Sequence, residues 1–107
     1  MTVGIGRLSL FLPTSHSLKE KRMVLRRVKD RLRQKFNVAV AEVEDNDVWQ
    51  RAIVGLAVVG NDRRFVDSTL DEIFRFVRAE AEVTNAEREV QSFNDALAEN
   101  DLGFKMS

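Results

Sequence analysis

The side chains in this 107-residue sequence that are equipped for chemistry are few and poorly matched. There is one histidine, His16, and no cysteine, so thiolate metal sites, thiol nucleophiles and disulfides are excluded together. His16 stands in the polar run Pro13, Thr14, Ser15, His16, Ser17 with no partner set beside it, and reads as a loop residue next to a helix cap. Glu42, Glu44, Asp45 and Asp47 have the chemistry to hold a hard cation. Their spacing is not that of a calcium loop and they crowd a turn, so a solvated acidic turn is expected and no metal is assigned. Gly4 and Gly6 look like the start of a phosphate-binding loop but lie inside a strand pattern, where glycine marks a bulge or close packing.

Charge is the more informative signal. Lys19, Lys21, Arg22, Arg26, Arg27, Lys29, Arg31, Arg33 and Lys35 face only Glu20 and Asp30 in the same stretch, a local charge of +7 in a chain of zero net charge. At roughly 100° per residue, Lys19, Arg22, Arg26, Lys29 and Arg33 form one stripe beside an apolar face, and Arg27, Arg31 and Lys35 line the opposite flank. A helix so loaded repels itself unless anions lie near. Those anions are either carboxylates, from this chain or a twin subunit, or the phosphates of a nucleic acid. The flank of Arg27, Arg31 and Lys35 is expected to assist at the phosphates or to face a subunit. Lys21 differs, because it projects into the middle of the apolar stripe, where a full charge must be paired or snorkel outward. A structural charge pair with a sheet carboxylate is expected, Glu42 being the leading candidate; no second group stands ready to make Lys21 catalytic.

The elements that must position these residues follow from periodicity. Residues 3–12 alternate, with Leu8, Leu10 and Leu12 against Arg7, Ser9 and Phe11, and make a first strand. Ser17 and Glu20 form a capping box ahead of a helix whose Leu18, Leu25, Val28, Leu32 and Phe36 share one face, and Asn37 suits a left-handed residue ending it. Residues 38–44 and 50–60 form a hairpin across the acidic turn, and the second of these strands is apolar on both faces, which predicts a central place in the sheet. Asn61 or Asp62 caps a second helix with Val66, Leu70, Ile73 and Val77 buried, and a more polar strand covers residues 86–93. This βαββαβ order predicts an α+β, ferredoxin-like sandwich, an antiparallel four-stranded sheet with two helices on one face. One domain is expected over residues 1–107, its core at about residues 2–93 and a C-terminal extension at 94–107. Apolar residues on both faces of the central strand predict self-association, a dimer above all, through the face without helices or an edge strand. The apolar stretch from Val3 to Leu12 is broken by Arg7 and ends at Pro13, too short to span a membrane and unlike a signal peptide, so a cytoplasmic protein is expected.

The run Ser17, Leu18, Lys19, Glu20, Lys21, Arg22, followed by Phe36, Asn37, Val38 and Glu42 and later by Trp49, Gln50 and Ala52, resembles the bacterial YlxP-like family. The resemblance implies a ferredoxin-like domain of unknown function, often encoded near translation initiation factor two and a ribosome-binding factor. It implies a link to translation and assigns no activity. Neither an acylphosphatase-type anion loop after the first strand nor an RNA-recognition signature is present, because the central strand carries no aromatic residue on which a base stacks. The expectation is a noncatalytic accessory protein, not an enzyme, associated with RNA or the ribosome through Lys19, Arg22, Arg26, Lys29 and Arg33, without stacking aromatics, cofactor or small-molecule ligand. The alternative is a homo-oligomeric protein-interaction module with no nucleic-acid role.

Overall fold

The computed structural model describes residues 1–93, in the order β1 (Thr2–Phe11), α1 (Leu18–Lys35), β2 (Ala39–Glu44), β3 (Arg51–Gly60), α2 (Arg63–Glu80) and β4 (Glu82–Ser92). The expected C-terminal extension at 94–107 lies outside the described residues. The strands form one antiparallel sheet in the order β2-β3-β1-β4, so β3 is central, as its apolar faces require. Both helices lie on one side, giving the ferredoxin-like sandwich. Leu8 and Leu10 of β1 and Ala52, Val54, Leu56 and Val58 of β3 meet Leu25, Val28 and Leu32 of α1 and Val66, Leu70, Ile73 and Val77 of α2 in a single buried core. Among the described residues no helix is long and apolar enough to cross a membrane.

Local chemistry sets the element ends. Ser17 Oγ accepts from the Glu20 amide at 3.1 Å, while the Glu20 carboxylate reaches one residue past the cap to the His16 amide at 2.6 Å. Asn37 is not left-handed; Asp45, at φ 60°, is the described non-glycine residue with positive φ. The chain instead leaves α1 through extended Phe36, whose amide donates to Leu32 and whose ring packs edge-on against Phe76 at 6.1 Å, so no reversal is needed to hold it down. Asp62, rather than Asn61, caps α2. Strand β4 starts four residues before the expected Ala86, because a bulge opposite Ser9 and Leu10 leaves Thr84 unpaired and interrupts the alternation. Gly4 marks close packing: a Cβ there would come within 2.5 Å of Val66 Cγ1 on α2.

A second bulge governs the site. In β2, Glu42 lies opposite Val54 and Glu44 opposite Ile53, with Val43 as the extra residue. Glu42 turns to the helix side with Val54 by the alternation that runs unbroken from Ala39, and the bulge turns Glu44 to the open side with Ile53; in unbroken register Glu44 would turn inward.

Candidate nucleic-acid interface

Lys21 is 1% exposed, among the most buried side chains of the protein. Its ammonium donates to the carbonyl oxygens of Asp45 and of Val48, the latter at 2.7 Å, and Glu42 Oε2 lies 2.7 Å away as counter-charge without an aligned hydrogen bond. Two carbonyl acceptors and one counter-charge thus surround the buried ammonium. Lys21 ties the first turn of α1 to β2 and to both ends of the turn that follows it. A lysine can do this because its stem lies along the apolar stripe while its head reaches the rim of the sheet.

Beside this node, α1 and β2 enclose a cleft of about 450 Å³ lined by Arg22, Leu25, Arg26, Lys29, Asp30, Arg33 and Glu42. Four of the five stripe residues therefore converge on one concavity, and Lys19, exposed, lies a turn nearer the helix start. Among the described residues Lys19, Arg22, Arg26 and Lys29 make no ion pair, while Arg33 sits 3.8 Å from Asp30 and donates to the Val40 carbonyl at 2.9 Å. Of the two carboxylates in the cleft, Glu42 already answers Lys21. The cleft is left with an excess of positive charge, which is the arrangement that holds a row of phosphates.

On the opposite flank, Arg31 and Lys35 find partners within the same chain. Arg31 pairs with Glu80 of α2 at 2.5 Å, and the Lys35 ammonium lies over the Phe76 ring at 5.3 Å and the Phe36 ring at 5.8 Å. Of that flank, Arg27 makes neither an ion pair nor a ring contact among the described residues. The acidic residues considered as a cation site are dispersed: Glu42 serves Lys21, Glu44 serves Arg7 on the open face, and Asp45 serves Arg51. Among the described residues no group of three or more His, Asp or Glu is arranged to hold a metal ion.

The helix-free face presents Ile5 (47% exposed) and Phe11 from β1, Val43 from β2 and Val59 (58%) from β3. Arg7 lies among them between Glu87 and Glu44, and its hydrogen bond to Glu87 raises its pKa further above the ordinary arginine value. One further exposed side chain escapes the charge and periodicity signals. Trp49, 53% exposed, stands on the turn between β2 and β3. A lone tryptophan beside an acidic turn, outside any apolar periodicity, is the signal that marks it.

The family model described as "Protein of unknown function (DUF503)" matches residues 3–90. The chain is 33% identical over 81 residues to the "Uncharacterized protein YlxP" of Bacillus subtilis (strain 168), covering 76% of this chain and 88% of that one. Among solved structures it is similar to LarC2, the C-terminal domain of a cyclometallase involved in synthesis of the NPN cofactor of lactate racemase. That likeness has a TM-score of 0.50 at 14% identity, over 85% of this chain and 55% of the other, so this chain spans little more than half its length. It is also similar to the de novo designed protein Foldit4, with a TM-score of 0.50 at 17% identity over 84% of this chain and 92% of that one. Identities this low speak to the fold alone.

Proposed function

The chain belongs to the DUF503 family, and from that premise we propose that it is a noncatalytic accessory protein of the cytoplasm that binds RNA, free or in the ribosome, along the cleft between α1 and β2. One observation carries the reading. Arg22, Arg26, Lys29 and Arg33 line a single cleft, and the first three have no ion-pair partner among the described residues. Lys19 extends the row toward the start of the helix. Cations held close together without counter-ions are stabilised by a polyanion, whose phosphates release condensed ions on binding. Flexible arginine and lysine heads contacting backbone give little base discrimination.

The test is retention of ribosomal RNA over a salt series. Five neutralised phosphates on a single strand give a slope of about −3.5 in log affinity against log salt. Arg22→Glu with Arg26→Glu weakens binding across unrelated RNAs and flattens that slope while the fold survives. Absence of any retention at low salt by the unaltered protein defeats the reading.

A second reading, self-association, is supported by the apolar side chains left open on the helix-free face, Ile5, Phe11, Val43 and Val59. It is compatible with the first, since the cleft lies on the other side of the sheet. Light scattering at tens of micromolar, where an interface of about 7 kcal/mol still assembles, decides it; a strict monomer there defeats it.

A further inference from the structure

Trp49 is 53% exposed and makes no hydrogen bond, ring contact or cation contact among the described residues. Its backbone, in contrast, is firmly held. On one side, the Val48 carbonyl accepts from Lys21 at 2.7 Å and the Val48 amide donates to Asp45 at 3.1 Å. On the other, the Gln50 carbonyl accepts from the Leu12 amide at 2.8 Å and its side-chain amide donates to Pro13 at 3.2 Å. The indole is thus a free ring on a fixed mount. Lys21, which holds that mount, precedes Arg22 in α1 and pairs with Glu42 of the cleft lining, so the turn that carries Trp49 lies at the Lys19–Arg22 end of α1, beside the basic cleft.

We infer that Trp49 is a stacking platform for an unpaired base, and that the ligand of the cleft is single-stranded RNA rather than duplex. The inference rests on the phosphate-binding reading above. A base in a duplex is covered on both faces by its neighbours, so a duplex offers the cleft phosphates alone. A single strand offers phosphates to Arg22, Arg26 and Lys29 and, at the end of the row, a bare π-face to the indole. Lys21 is then a positioning residue: it touches no nucleotide, yet it fixes the distance between ring and cations. On this inference the stacking ring comes from a turn and not from the central strand.

Trp49 is the only tryptophan of the chain, so its own emission reports the contact. The unaltered protein is titrated with a short oligouridylate and with a blunt RNA duplex, and filter retention and tryptophan emission are followed together. The expected result is quenching by the oligouridylate that tracks its retention, and retention of the duplex without quenching. Trp49→Ala lowers oligouridylate affinity by about tenfold and duplex affinity by less than about twofold, while Trp49→Phe keeps most of the single-strand affinity. Trp49 is exposed, so each variant should keep the fold, and thermal unfolding checks it. Oligouridylate retained with emission unchanged, or bound equally by Trp49→Ala, overturns the stacking inference and leaves the phosphate reading standing. Retention of neither RNA overturns both.

Discussion

Helix α1 carries cations down two flanks that meet different neighbours. Toward α2, Arg31 is answered by Glu80 and Lys35 by two phenylalanine rings. Toward β2, Arg22, Arg26 and Lys29 line a cleft whose Glu42 is already engaged by Lys21. The two flanks are alike in composition and unlike in availability. Counting charges along a helix therefore overstates what a ligand can use, because the element packed beside each flank decides which cations are already satisfied.

The sharpest way to break this contrast is at the line between the flanks. Lys21→Met leaves Glu42 without its counter-charge and the carbonyls of Asp45 and Val48 without a donor, so it should destabilise the protein by about 3–5 kcal/mol in chemical denaturation. Pairing it with Glu42→Met should recover part of that loss, as removing both charges together leaves neither unpaired. Two single losses that merely add would refute the coupling.

Matched neutralisations on the two flanks come next. Arg22→Gln with Arg26→Gln should cut RNA affinity at moderate salt by at least tenfold and reduce the salt slope by about 1.4 on single strands. Arg31→Gln with Lys35→Gln should change affinity by less than about threefold and instead lower stability by up to about 1 kcal/mol, the usual worth of an exposed pair. Equal effects on RNA from both flanks would mean that binding follows net charge and that the cleft has no special role. The smallest effect belongs to the far side of the sheet. Ile5→Glu should leave RNA binding within about twofold and unfolding nearly unchanged, since Ile5 is half exposed, while light scattering loses any assembled species.

Most of the fold is legible in the sequence because its signals are local. Ser17 and Glu20 announce the start of α1, the spacing of Leu25, Val28 and Leu32 gives its buried face, and the two-sided apolar run of β3 places it inside the sheet. The approach of Lys21 to Glu42 is legible for a different reason: a charge within an apolar stripe demands a partner, and few carboxylates are in reach. What stays hidden depends on register and long-range placement. The bulges at Val43 and Thr84 insert a residue without any compositional mark. The left-handed residue falls at Asp45 rather than Asn37, because the tight reversal is in the β2–β3 turn and not at the helix end. The two carbonyls that complete the Lys21 site are backbone groups, invisible to any reading of side chains. The place of the Trp49 turn beside Lys21 follows from those same bonds, so it too appears only once the chain is folded.

The extra residue Val43 also bears on how this chain behaves when crowded. Strand β2 is one of the two outer strands of the sheet, short and rich in small apolar side chains, and such a margin invites the backbone of another molecule to add to it and begin a fibre. The inserted residue breaks the even spacing of amides and carbonyls that an incoming strand must match, and the Arg33 guanidinium covers the Val40 carbonyl along the same strand. The feature that turns Glu44 to the open side therefore also makes this margin a poor template for strand addition.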